Sequence, residues 1–230
     1  MITSGAGRLI VALDVETAVE ARALVSALAG TASFYKIGLE LYAAAGMDFV
    51  RELKAQGHRV FVDLKLYDIG ETVRRAVAQV AKVGADFLTV HGSRVVMSAA
   101  VAGRGEASLK LLAVTVLTSF DENDLRQMGY PCDVTRLVEL RVGNAMEAGI
   151  DGVVCSPLEV ARVREIAGPR AILVTPGVRS AGAAVGDQKR VASPAEAIAS
   201  GADYLVIGRQ VTRSSDPRTE FLKIVQEISG

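Results

Sequence analysis

Asp63, Lys65 and Asp68 stand together in the stretch Val60-Phe61-Val62-Asp63-Leu64-Lys65-Leu66-Tyr67-Asp68-Ile69-Gly70-Glu71-Thr72. Up to Leu66 its uncharged residues are apolar, β-branched or aromatic, which predicts a β-strand. Strand side chains alternate faces with period two, so Asp63 and Lys65 are expected on one side. Asp68 falls where strand gives way to loop and can turn back toward them. Charges at the end of an apolar strand cost desolvation free energy unless they satisfy one another. A structural ion pair is the ordinary alternative. Carboxylates beside a lysine favour its ammonium form. An ammonium can donate a proton or stabilise a developing carbanion. Schiff-base chemistry needs a neutral amine instead, so the pattern leans away from a lysine aldolase.

The elements that must hold these charges alternate along the whole chain. Apolar strands are expected over 8–14, 33–37, 60–66, 86–90, 109–117, 152–155, 171–174 and 204–207. Helices are expected between them, over 16–28, 39–56, 70–83, 95–102, 134–148, 158–166, 194–200 and 221–228, with a short one within 121–129. Gly84-Ala85-Asp86, Gly149-Ile150-Asp151 and Gly201-Ala202-Asp203 repeat one grammar, in which a glycine stops a helix just before a strand. Eight strand–helix alternations in 230 residues predict a single-domain (β/α)8 TIM barrel spanning 1–230. An open doubly wound sheet would carry a glycine-rich fingerprint after its first strand, and Asp14 is followed here by Val15-Glu16-Thr17.

Composition narrows the class. The formal net charge is zero, which gives no sign of a nucleic-acid or membrane surface. Trp is absent and no apolar run is long enough to span a bilayer. The N-terminus shows no secretory pattern, and Cys132 and Cys155 lack metal or redox spacing. They are expected to be plain thiols in a reducing cytoplasm, Cys155 in the core. His58 and His91 are the only histidines, which leaves no histidine-rich metal site.

Barrel chemistry sits at the C-terminal ends of the strands. Those ends carry Asp14, Lys36, Asp63 with Lys65 and Asp68, His91, Thr118, Ser156, Arg179 and Arg209. A solvated rim would have no reason to gather charge on one side of the barrel. Loops after the seventh and eighth strands commonly hold phosphate, and Gly208-Arg209 follows the eighth. The loop from Arg179 to Arg190, which contains Gln188, is glycine-rich and could close over a ligand. His91 is expected to orient a neighbour or pack more readily than to act as an acid or base. Tyr67 and Glu71 read as local loop residues.

These residues resemble the orotidine 5'-phosphate decarboxylase family. Its Asp-x-Lys-x-x-Asp signature stands here as Asp63-Leu64-Lys65-Leu66-Tyr67-Asp68, followed by Ile69. Val11-Ala12-Leu13-Asp14, Tyr35-Lys36-Ile37-Gly38, Leu117-Thr118-Ser119, Thr175-Pro176-Gly177-Val178-Arg179, Gly186-Asp187-Gln188-Lys189-Arg190 and Ile207-Gly208-Arg209 match further motifs in order. One departure is Gly70-Glu71, where the family often has Pro-Asn, though Thr72 keeps its place.

The resemblance implies decarboxylation of orotidine 5'-phosphate to uridine 5'-phosphate in pyrimidine biosynthesis, without metal or organic cofactor. It implies catalysis by Lys65, Asp63 and Asp68. It implies a homodimer in which Asp68, Ile69 and Thr72 reach the partner's site. It implies Asp14 and Lys36 at the ribose, Thr118 and Gln188 near the pyrimidine, and Arg179, Gly208 and Arg209 at the phosphate. Two rivals remain. One is a metal-dependent keto-sugar-phosphate decarboxylase or aldolase on the same barrel, which typically has Glu where Lys36 stands. The other is a non-catalytic barrel that binds phosphorylated ligands.

Overall fold

The computed structural model describes residues 5–180 and 192–229. After a 3-10 turn at Gly5–Arg8, the elements run β1 (Leu9–Ala12), α1 (Ala18–Ala27), β2 (Phe34–Ile37), α2 (Leu39–Ala55), β3 (Arg59–Leu66), α3 (Gly70–Val83), β4 (Phe87–His91) and α4 (Arg94–Arg104). The second half runs β5 (Lys110–Val114), α5 (Glu122–Gln127), α6 (Val134–Glu147), β6 (Gly152–Val154), α7 (Val160–Ala167), β7 (Ile172–Thr175), α8 (Pro194–Ala199), β8 (Tyr204–Ile207), α9 (Arg209–Thr212) and α10 (Pro217–Glu227). All eight strands are parallel and close in sequence order, β8 pairing β1. The expected (β/α)8 barrel is the observed fold.

Two cores follow from strand alternation. Leu9, Val11, Tyr35, Ile37, Val60 and Val62 face outward and pack with the helices. Ile10, Ala12, Phe34, Phe61, Phe87, Leu112, Val174 and Val206 fill the barrel. Near the strand starts the ring of Phe87 meets those of Phe34 and Tyr204 edge-on, at 5.1 and 5.2 Å. The Arg59 guanidinium lies 4.2 Å over Phe34. Such edge contacts fill the barrel with apolar surface and leave its other end to polar groups.

The Gly-x-Asp grammar has a physical reason beyond stopping helices. Gly84, Gly149 and Gly201 have positive φ of 78, 78 and 108°. The next-but-one Asp then exchanges two bonds with one residue of the preceding strand. Asp86 donates its N–H to the Val60 carbonyl (2.9 Å) and accepts the Val60 N–H (2.8 Å). Asp151 does the same with Leu111 (3.1 and 3.0 Å), and Asp203 with Leu173 (2.9 and 2.8 Å). A cation from the preceding helix completes each clasp: Lys54, Arg104 and Arg164.

Three expectations shift. Strand β5 ends at Val114 rather than Leu117, because the chain there leaves the barrel to wall the cavity described below. Helix α2 is broken at Gly46, whose φ of 62° is not helical. The loop expected over 179–190 is described only at Arg179 and Ser180, and Gln188 lies outside the described residues.

Asp151→Ala should lower stability by about 2–3 kcal/mol, since the Leu111 N–H and Arg104 lose a partly buried acceptor. Urea unfolding should show that loss with kcat/KM unchanged. A fall in kcat/KM at intact fold would show that the clasp reaches the catalytic face.

Candidate active site

Inward alternation carries two charges onto the barrel axis. Lys36 follows Phe34 by two residues on β2, and Asp63 follows Phe61 by two on β3, so each stands above the aromatic layer. Lys36 Nζ lies 2.9 Å from Asp14 Oδ1 and 3.5 Å from Asp63 Oδ2. Lys65 Nζ lies 2.9 Å from Asp63 Oδ1, and the Thr89 hydroxyl donates to the same oxygen at 2.8 Å. The result is a line of alternating charge, Asp14, Lys36, Asp63, Lys65.

Lys65 reaches that line by another route than plain alternation. Val62 pairs Leu88 and Leu66 pairs Val90, so β3 fits two more residues than β4 into one interval. Within this bulge Lys65 has φ 48°, alone among described non-glycine residues. Its N–H donates to Thr89 Oγ1 at 2.9 Å. Thr89 thus fixes both the backbone of Lys65 and the carboxylate that Lys65 faces. Bulges commonly re-aim side chains beside active sites.

The middle of the line is buried, and burial acts against both charges. For Lys36, burial pushes the pKa down, but Asp63 and Asp14 outweigh it and hold the ammonium above the usual lysine range. For Asp63, burial pushes the pKa up, while Lys36 and Lys65, with bonds from Lys65 and Thr89, hold the carboxyl below the usual carboxylate range. Both groups therefore stay charged at neutral pH.

This line borders a cavity of about 440 Å³, a volume in the range of small-molecule sites. Asp14, Lys36, Asp63, Lys65, Thr118, Arg179, Gly208 and Arg209 all line it. Ala12, Val114, Val154 and Val206 give it apolar surface, and Cys155 is both buried and part of the lining. Arg179 and Arg209 enter from the β7–β8 side, opposite in the strand order to β3.

Asp68 does not turn back to Lys65 in its own chain. It is exposed, and its Oδ1 accepts the N–H of Ile69 at 2.6 Å. The physical reason is that the chain swings outward after the bulge to start α3, with Ile69 at the N-cap. Ile69 and Thr72 are likewise exposed and outside the cavity lining. His91 lies outside that lining too, and Ser156 caps the turn at Pro157–Glu159.

Sequence reasoning missed several residues. Thr89 is a lone hydroxyl among Phe87, Leu88 and Val90, at the inward position level with Asp63, and that was its signal. Gly38 leaves room for the first ion pair: a Cβ there would stand 2.9 Å from Asp14 Oδ1 and 3.0 Å from Lys36 Nζ. Glu40, Thr212 and Arg213 also line the cavity, with no local signal that separates them from surface residues.

A model of the orotidine 5'-phosphate decarboxylase / HUMPS family matches residues 7–224. The chain belongs to this family. An orotidine 5'-phosphate decarboxylase of Rhodopseudomonas palustris (strain BisA53) is 56% identical, the match covering 97% of this chain and 95% of the relative. That of Caulobacter sp. (strain K31) is 51% identical over 97% of each. The crystal structure of orotidine 5'-phosphate decarboxylase from Lactobacillus acidophilus superposes with a TM-score of 0.85 at 34% identity, covering 96% of this chain and 99% of that one. By name these orotidine 5'-phosphate decarboxylase relatives are carboxy-lyases.

The charge line should govern pH stability in a defined direction. The depressed Asp63 contributes stability that is present above the ordinary carboxylate pKa, about 4, and lost as pH falls through its lower folded value. The raised Lys36 contributes stability that is present below the ordinary lysine pKa, about 10.4, and lost as pH rises through its higher folded value. At pH 7 Asp63→Ala should cost about 3 kcal/mol, because Lys36 stays buried with one counter-charge removed. Lys65→Ala should cost about 1 kcal/mol or less, since its side chain is 37% exposed. Equal losses in urea unfolding would contradict this ranking.

Proposed function

We propose that the protein catalyses the decarboxylation of orotidine 5'-phosphate to uridine 5'-phosphate, a step of pyrimidine biosynthesis, as one barrel domain that needs no cofactor. The observation that carries the reading is the ammonium of Lys65, held 2.9 Å from Asp63 at the wall of a cavity that also presents Arg179 and Arg209. Breaking the bond between the ring and its carboxylate releases carbon dioxide and leaves the electron pair on a ring carbon. That pair lies in the ring plane, where the π-system does not delocalise it. A fixed ammonium stabilises it electrostatically and then gives it a proton, after which Lys65 recovers a proton from solvent. Asp63 keeps the ammonium in place and, with Asp14, compensates Lys36.

Asp14 and Lys36 are assigned to the ribose, Thr118 and Gln188 to the pyrimidine, and Arg179, Gly208 and Arg209 to the phosphate. Binding the remote phosphate supplies energy that can be used at the reacting carbon. Very slow uncatalysed reactions need about 20 kcal/mol of barrier reduction, more than one ammonium contributes alone. The metal-dependent rival is disfavoured because Lys36 Nζ already stands between Asp14 and Asp63 as their counter-ion. Loss of orotidylate absorbance should proceed unchanged in EDTA, and folded Lys65→Ala should lose turnover. Chelator-sensitive activity would favour the rival, and near-normal turnover by the variant would remove Lys65 from the chemistry.

The same reading makes the active unit a homodimer. Tyr67, Ile69 and Val95 are 69, 77 and 70% exposed. Gly70, next to Ile69, approaches Val95 and Ala99 of α4. This apolar face, continuous with outward-facing Asp68, supports a second copy that receives Asp68, Ile69 and Thr72. Asp68→Ala and Lys36→Ala proteins, each nearly inactive, should regain activity on subunit exchange. Random exchange makes about half the dimers mixed, each with one intact site, or about a quarter of wild-type activity per subunit. Verified exchange without recovery would sink the shared site.

A further inference from the structure

His91 ends β4 just outside the cavity lining, so any effect it has on the reaction passes through another group. Its imidazole lies against the ring of Tyr67, centroids 4.2 Å apart and planes tilted by 31°. Tyr67 directly precedes Asp68. The Asp68 carboxylate is itself tied to the backbone of this loop through the Ile69 N–H. Its direction is therefore set by the path of the loop, and Tyr67 is where the loop meets the barrel.

His91 is held from the other side by Arg141 of α6. The Arg141 Nη2 lies 3.5 Å from His91 Nε2 and donates to the Tyr130 hydroxyl at 2.7 Å. Its Nη1 donates to the Thr115 carbonyl just beyond β5. The Arg141 stem also closes on the end of β4, since a Cβ on Gly92 would stand 2.9 Å from Arg141 Cδ. Burial, then the nearby Arg141 charge, push the His91 pKa down, so the ring is neutral and suited to stacking. Its Nδ1 is buried with no hydrogen-bond partner among the described residues.

We propose that His91 is a positioning residue that holds, through Tyr67, the loop delivering Asp68 to the partner's active site. This rests on the shared-site reading above. A side chain displaced by about 1 Å can cost on the order of 100-fold in rate, so a platform under the loop matters even though it touches no substrate. The consequence is a defect in trans: loss of His91 harms the neighbour's site more than its own.

Mixed dimers of Lys36→Ala and Asp68→Ala chains give the test, because their one intact site takes Asp68 from the Lys36→Ala chain. His91→Ala added to the Lys36→Ala chain should lower the recovered kcat about tenfold. The same change added to the Asp68→Ala chain should leave it nearly unchanged. His91→Phe, which keeps a flat ring under Tyr67 and removes the Arg141 contact, should restore most of the loss in the first arrangement. A fall only in the second arrangement would mean that His91 acts on its own cavity through Arg141 and Thr115, and would overturn the proposal. Equal falls in both, or no rescue by His91→Phe at intact fold, would overturn it as well. If the reference pair without any His91 change recovers nothing after verified exchange, the shared site itself fails and this inference falls with it.

Discussion

A lysine ammonium buried between two carboxylates is the constraint on which the catalytic face depends. Neither Lys36 nor Asp63 could be buried as an ion alone, because desolvation opposes each. Each is tolerable because the other is there, because Asp14 accepts a hydrogen bond from the Lys36 ammonium, and because the Thr89 hydroxyl donates one to Asp63. Once that pair exists, the position of Lys65 follows from it, since the second oxygen system of Asp63 is the acceptor that Lys65 faces. The apolar rings beneath keep water from entering from the closed end, so the charges compensate one another rather than the solvent.

The bulge in β3 is the second determinant. A regular strand would run on in register with β4, and its side chains would continue to alternate. The two additional residues between Val62 and Leu66 turn Lys65 into left-handed backbone and send the following chain outward. Left-handed backbone at a non-glycine residue costs of order 1 kcal/mol or more, and the Thr89 bond to the Lys65 N–H helps offset it. One local irregularity therefore does two things. It aims an ammonium into the cavity of its own chain, and it presents the next acid, Asp68, to the outside.

Much of this is legible in the residues alone. The inward parity of Lys36 and Asp63 follows from counting along short apolar strands, and the Gly-x-Asp repeats mark three strand starts. The bulge was not legible, because no glycine or proline marks it and the expected alternation happens to put Lys65 on the right side for the wrong reason. Thr89 was hidden because a threonine is an ordinary strand residue, and its meaning depends on what stands level with it on the next strand. The direction of Asp68 could not be read from spacing either, since a loop residue can face either way until the helix that follows is placed. The substrate came from resemblance to a family, because a cavity with an ammonium and arginines fixes a chemistry more closely than it fixes a ligand.

The clasps at the closed end of the barrel divide the chain in a way that its active face does not. Each comprises a helix that supplies a cation, an odd-numbered strand whose second residue has its N–H bound, and the aspartate that leads into the next even-numbered strand: Lys54 with Val60 and Asp86, Arg104 with Leu111 and Asp151, Arg164 with Leu173 and Asp203. No clasp borrows a member from another. A segment that begins in such a helix and ends after the even strand thus carries its own side-chain clasp at the base, and main-chain bonds from Lys110 N–H to the Asp86 carbonyl and from Ile172 N–H to the Asp151 carbonyl join it to the next. Crossovers between related genes that fall between these segments would exchange catalytic loops while passing each clasp on whole, which makes the barrel a natural substrate for recombination in blocks of two strands.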